Sequence, residues 1–144
     1  FHVSKNLRRL FNRHYFELRI NGDFEGTMRA CAEREDTWIS EDIIQSYCKL
    51  HELGYAYSFE TWREGKLVGG LYGVIIGKAY FGESMFHRET DASKIALIFL
   101  GQFLKENNFR LLDTQYINDH LLQFGAKEIP NDEYEELLAE ALES

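Results

Sequence analysis

The sequence predicts a mixed α/β domain in which one largely antiparallel sheet is flanked by helices. Three observations carry this. The runs YAYSFETW, LVGGLYGVIIG and KAYFGESMF are rich in β-formers and follow one another with only short turns between them. Segments with helical periodicity and caps stand on both sides of that block. A further strand-like run, RLLDTQY, follows the helix after the block. Helices before, between and after strands of one sheet give helices on its faces.

The elements follow in order. FHVSKNLRRLFNRH predicts a short helix capped by Ser4, with Leu7, Leu10 and Phe11 inward and the arginines outward. YFELRI alternates and predicts a strand. DFEGTMRACAER predicts a helix capped by Asp23, with Phe24, Met28 and Cys31 on one face. In SEDIIQSYCKLHELG, Ser40 caps, Glu41 and Asp42 suit the positive N-terminus, and Gly54 closes the helix. REGK and Gly77–Lys78 turn the three central strands into a meander. DASKIALIFLGQFLKENN predicts an amphipathic helix ending near Asn107–Asn108. After RLLDTQY come a short helix in NDHLLQFG, a strand in AKEI and a last helix in NDEYEELLAEAL.

The 144 residues suit a single domain with a real core, and 44% hydrophobic residues with 15% aromatics suit a packed globule. The net charge of −8 argues against a whole-protein basic field. The charge is uneven, however. Residues 1–15 hold Lys5, Arg8, Arg9 and Arg13 and no acid, whereas the chain from Glu128 onward has seven acids and no base. Cys31 and Cys48 lack the short paired spacing of a metal or redox motif, as free thiols of a reducing cytoplasm would. No apolar run approaches the roughly 20 residues of a membrane span.

Several motifs are candidates for chemistry. GESMF is half of a nucleophile elbow, but Phe86 stands where its second glycine belongs, which argues against a hydrolase serine at Ser84. Glu83 sits among aromatic and apolar residues, so it must be exposed or pair with a cation. Cys48 and His51 share a helix face without further ligands at zinc-like spacing, so no metal site is expected and His51 reads as a core histidine. The glycines of LVGGLYGVIIG lie inside strands and lack GK[ST], which points to a bulge or a close approach rather than a phosphate loop. Trp38 stands in a loop, either plugging the core or offering a face to a base. Asp113 and Gln115 lie two apart on a strand and so share a face, with Asn118 and Asp119 at the strand's end. A carboxylate bonded to an amide can orient the amide oxygen toward a proton donor; equally, the two can be a polar pair capping the next helix.

The ordered series TWI, KLHELGYAYSFETW, LVGGLYGV, GESMF, ASKIAL, LLDTQYINDHL and QFGAKEIP resembles the bacterial leucyl/phenylalanyl-tRNA–protein transferases along nearly the whole chain. The resemblance implies a GNAT-like fold and a single aminoacyltransferase domain over residues 1–144, without the family's N-terminal domain. It implies transfer of Leu, Phe or Met from aminoacyl-tRNA to proteins with N-terminal Arg or Lys, making an N-degron. No cofactor is implied, since aminoacyl-tRNA is itself a substrate. The family's D-C-Q motif falls on Asp113, Thr114 and Gln115, so Asp113 would polarise Gln115, which would orient the attacking α-amine. Glu83 and Asn118 would receive the basic side chain of the acceptor. An apolar pocket of Leu71, Tyr80, Leu97, Leu100 and Leu112 would hold the transferred side chain. Trp38 would stack on the terminal adenosine, and Lys5, Arg8, Arg9 and Arg13 would contact tRNA phosphates. Thr114, Tyr57 and Asp91 stand where the family has cysteine, histidine and asparagine. A cytoplasmic monomer without membrane contact is expected. Two other readings are an acyl-CoA acyltransferase, which would need a glycine loop where this chain has HRETDASK, and a non-catalytic tRNA- or degron-binding module.

Overall fold

The computed structural model describes residues 4–33 and 39–114, with 111–114 described by their backbone pairing. The element order is α1 (Lys5–Asn12), β1 (Glu17–Ile20), α2 (Phe24–Ala32), α3 (Glu41–Glu52), β2 (Ala56–Arg63), β3 (Lys66–Ile76), β4 (Ala79–His87), α4 (Ala92–Glu106) and β5 (Leu111–Thr114). The segments expected from NDHLLQFG onward lie outside the described residues.

Local chemistry sets the helix boundaries. Ser4 accepts from the Leu7 N–H, Asp23 from Gly26 and Ser40 from Ile43, so each supplies an acceptor to an otherwise orphaned first-turn donor. Gly54 follows α3 at φ 87°, the left-handed region that glycine enters freely. The β2–β3 turn places Glu64 and Gly65 at φ 52° and 78°, the pattern of a two-residue hairpin that matches strand twist.

The five strands lie in the order β1-β2-β3-β4-β5. The first four are antiparallel. β5 joins β4 in parallel, from Ala79 opposite Leu111 to Gly82 opposite Thr114. A parallel return needs a long crossover, and α4 supplies it.

Strand alternation sends side chains to two faces. On one face Phe59, Leu71, Tyr80 and Met85 pack with Ile95, Leu97 and Leu100 of α4 and Leu7 of α1. The Phe59 ring meets those of Phe99 and Phe103 at 5.8 and 5.1 Å. On the other face Tyr72 and Phe86 pack with Phe24, Met28 and Cys31 of α2 and Ile44 of α3. Each fully buried side chain of this size contributes roughly 1.5–3 kcal/mol relative to exposure. Gly69 permits the approach of α4: a Cβ there would lie 2.5 Å from the Ala92 Cβ. Thr61 Oγ fixes the same contact by donating to the Ala92 carbonyl at 3.1 Å.

Candidate functional site

The centre of the site is an irregularity in β4. Tyr72 pairs with Ser84, but the next β3 residue, Gly73, pairs with Gly82. Glu83 is the extra residue of a bulge, which re-aims side chains locally. Glycine allows it at this point: a Cβ on Gly73 would fall 2.6 Å from the Tyr80 ring and 2.5 Å from the Phe81 carbonyl oxygen. Ser84 pairs with Tyr72, whose ring faces α2 and α3, and the bulge turns Glu83 to that side as well.

Glu83 is half-buried there and meets the Tyr47 hydroxyl of α3, which donates to its carboxylate. Burial, and then the adjacent negative charge of Glu83, push the Tyr47 phenol up to about 12. The Tyr47 ring is held edge-on against Tyr72, with centroids 5.7 Å apart. The sequence predicts exposure or a cation at Glu83; the structure leaves it half-buried with the Tyr47 hydroxyl beside it.

The other predicted positions are distributed as follows. The backbone of Asp113 is opposite Phe81 and that of Leu112 opposite Tyr80, so β5 carries Asp113 alongside β4 two residues before Glu83. Gln115, Asn118 and Trp38 lie outside the described residues. Leu71, Tyr80, Leu97 and Leu100 are brought together, each at most 1% exposed, in the core between the sheet and α4. Lys5, Arg8, Arg9 and Arg13 are exposed on and just after α1. His51 is half-buried at the edge of the core: its ring stacks on Phe24 at 4.4 Å, and its Nδ1 lies 2.8 Å from the Ala56 carbonyl oxygen. Cys31 and Cys48 are in no disulfide, and among the described residues no cluster of three metal-ligating side chains occurs.

Sequence reasoning missed Glu60. It is fully buried on β2 and accepts from four donors. They are the Asp23 backbone N–H (2.9 Å), Thr27 Oγ (3.4 Å), Ser58 Oγ (2.6 Å) and Trp62 Nε1 (2.8 Å). This cage ties the entry of α2 to the sheet, and α2 forms the wall opposite Tyr72. Asn21 strengthens the tie, since its backbone N–H and side-chain oxygen bond the Ser58 backbone from both sides at 2.9 Å. The usable signal was the run Ser58, Glu60, Trp62: three polar-capable groups on one face of a strand.

Past the bulge, a cavity of about 490 Å³ lies between the end of β4 and the start of α4, lined by Met85, Phe86, Arg88, Ser93 and Lys94 among others. Its charges are matched, Arg88 with Glu33 at 3.2 Å and Lys94 with Asp91 at 4.0 Å. The loop leading into α4 holds no glycine, and Asp91 caps the helix in the left-handed region at φ 67° without a side-chain hydrogen bond.

The profile of the leucyl/phenylalanyl-tRNA protein transferases matches residues 1–139 of this sequence. The chain belongs to this family. A leucyl/phenylalanyl-tRNA–protein transferase of Paramagnetospirillum magneticum is 52% identical over 146 residues, covering 99% of this chain and 70% of that protein. One from Akkermansia muciniphila is likewise 52% identical, covering 99% of this chain and 76% of its own length. The family is one of transferase enzymes, and the fold agrees. A ribosomal-protein-alanine N-acetyltransferase from Brucella melitensis superposes with a TM-score of 0.60 at 13% identity, over 81% of this chain and 94% of that one. An aminoglycoside acetyltransferase from an uncultured soil metagenomic sample gives 0.58 at 17% identity, over 81% and 93%. At such identities the likeness speaks for the GNAT-like fold alone. Among the described residues, no helix is long and apolar enough to cross a membrane.

Proposed function

We propose that this chain transfers Leu, Phe or Met from aminoacyl-tRNA to the α-amine of proteins that begin with Arg or Lys. Family membership supports aminoacyl transfer from tRNA to protein as the coarse reaction. One structural observation carries the finer specificity. Glu83 is a half-buried carboxylate displayed on a bulge and oriented by a neutral donor, Tyr47. A hydroxyl donor orients a carboxylate without removing its charge, and a carboxylate held in that way is suited to receive a guanidinium or ammonium group. Asn118 would complete the recognition.

The chemistry is attack of an amine on an ester that is already activated. In the productive complex the α-amine is uncharged. Its nitrogen bonds to the ester carbonyl carbon, the bond from that carbon to the ribose 3′-oxygen breaks, and the amine proton ends on the departing oxygen. The neighbouring ribose 2′-hydroxyl can carry that proton. Asp113 would hold the Gln115 amide by accepting from its NH₂, which makes the amide oxygen a better acceptor for the incoming amine. Gln115 thus positions the nucleophile rather than removing its proton. Leu71, Tyr80, Leu97, Leu100 and Leu112 would enclose the transferred side chain by shape alone, which admits Leu, Phe and Met and rejects β-branched residues. Trp38 would stack on the terminal adenine. Lys5, Arg8, Arg9 and Arg13 would meet tRNA phosphates, making binding salt-dependent. The reading requires no cofactor and sets a monomer in the cytoplasm with its charged tRNA.

The test is transfer of labelled Leu from Leu-tRNA to a peptide beginning with Arg, beside a peptide beginning with Ala. Transfer to the Arg peptide, with Asp113→Ala slowing it at least about 100-fold, is expected. Equal transfer by the variant would remove Asp113 from the reaction. Absence of transfer by the folded protein would overturn the reading.

A further inference from the structure

The charges of this acidic protein are arranged unevenly around its surface. Arg19, Arg29, Arg63, Arg88 and Lys94 each pair with a carboxylate. Among the described residues, Lys5, Arg8, Arg9, Arg13, Lys49, Lys66, Lys78 and Lys105 have no carboxylate within ion-pair distance. Four of these eight are on or just after α1. Lys105 is far from them in sequence, in the last turn of α4, and is exposed.

The fold brings α4 and α1 together. A groove of about 490 Å³ runs between them, lined by Arg8, Phe11, Asn12, Ile98, Gly101, Gln102 and Lys105. On α4 the lining residues are spaced i, i+3, i+4 and i+7, one stripe along the helix beside its buried face. On α1, Arg8 and Asn12 are one turn apart and border the groove together. No acid lines it. Glu106, next to Lys105, is directed about 100° around α4. The groove thus presents two unpaired cations, two amides that can donate, and an apolar floor of Phe11 and Ile98.

We propose that this groove binds the ribose–phosphate backbone of RNA, with Arg8 on one wall and Lys105 and Gln102 on the other. The proposal rests on the reading that aminoacyl-tRNA is a substrate, and it extends the basic face of α1 onto α4. Charge complementarity favours a polyanion: on a chain of net charge −8, this groove is bordered by two unpaired cations, Arg8 and Lys105, and continues onto the basic face of α1. The floor suits a nucleotide, whose sugar carbons or base face can lie on Phe11 and Ile98 while the phosphate meets the cations. Arg8 offers a fork for two phosphate oxygens, and Lys105 a mobile point charge.

The experiment is binding of Leu-tRNA by fluorescence anisotropy across a salt series, for the parent chain and for Lys105→Ala, Lys105→Glu, Arg8→Ala and Lys49→Ala. Lys49 is an exposed lysine on α3, away from the groove. Lys105→Ala and Arg8→Ala are each expected to weaken binding about 3- to 10-fold at moderate salt and to reduce the slope of log K against log salt by about 1, with Lys105→Glu weaker still. Lys49→Ala should match the parent. Circular dichroism checks that each variant folds. If the parent binds and the Lys105 variants behave like Lys49→Ala, the groove proposal is overturned while the tRNA reading stands. If the folded parent does not bind Leu-tRNA, both fall.

Discussion

The Tyr47 hydroxyl on α3 donates to the carboxylate of Glu83 on the β4 bulge, and the phenol is pushed up to about 12 by burial and by that negative charge. Replacing Glu83 with Gln removes the charge but leaves the burial. The Tyr47 titration should therefore move downward without reaching the ordinary tyrosine value of 10.0. Ultraviolet difference titration against Tyr47→Phe reads it. The sign for stability follows from a folded-state pKa above the unfolded one. The contribution of this pair is complete below pH 10 and is lost as pH rises through about 12. An unchanged titration in Glu83→Gln would mean that the two groups do not interact.

Glu60 is expected to be one of the least replaceable polar residues. Glu60→Ala would leave the Asp23 and Trp62 N–H groups and the buried Ser58 hydroxyl without this acceptor, while Thr27 keeps its bond to the Asp23 carbonyl oxygen. The expected loss in urea unfolding is about 3 kcal/mol or more. Glu60→Gln keeps the shape but sets an NH₂ among donors, so it should also destabilise, by less. A loss under about 1 kcal/mol in the alanine variant would mean that water replaces the cage.

Gly69 tests how closely α4 must approach the sheet. The added methyl of Gly69→Ala would fall 2.5 Å from the Ala92 Cβ, 2.6 Å from Thr61 Oγ and 2.8 Å from the Ala92 carbonyl carbon. Backbone cannot swing aside as a side-chain tip can, so a loss of about 1–3 kcal/mol is expected. Thermal unfolding measures it, and an unshifted midpoint would place α4 farther from the sheet.

Arg29 binds both Glu25 and Glu41 on the exposed faces of α2 and α3, at 2.9 Å to each. The Arg29 guanidinium, then the Gln45 amide, hold the Glu41 carboxyl down to about 2. Carboxyl NMR should show that midpoint, rising toward 4.5 in Arg29→Gln. Because the folded pKa is depressed, the pair's contribution is present above pH 4.5 and fades as pH falls toward 2. Being exposed, it should alter overall stability little.

What the sequence disclosed depended on how far the determining contacts reach. The Ser4, Asp23 and Ser40 caps and the turn at Glu64–Gly65 were legible because their partners lie within three residues or their backbone demands glycine. The pairing of β5 with β4 was not, because α4 decides it by packing Leu97 and Leu100 on the sheet. The Glu60 cage was hidden for the same reason: Asp23 and Thr27 arrive from 37 and 33 residues away. At the site, the sequence marks Glu83 as an ion among apolar neighbours. Its hydroxyl partner was not foreseeable, since it takes both a bulge in β4 and the placement of α3 to bring Tyr47 there. The glycines in LVGGLYGVIIG did announce a close approach, and Gly69 and Gly73 are where it happens.

The most direct test of the account compares Leu transfer to two peptides that differ only at the first residue, arginine in one and its uncharged isostere citrulline in the other. The prediction is a preference for arginine of about 10-fold or more in kcat/KM, collapsing toward equality in Glu83→Gln while transfer to the citrulline peptide is little changed. Transfer with equal efficiency to both peptides by the parent protein, or an arginine preference that survives in Glu83→Gln, would contradict it.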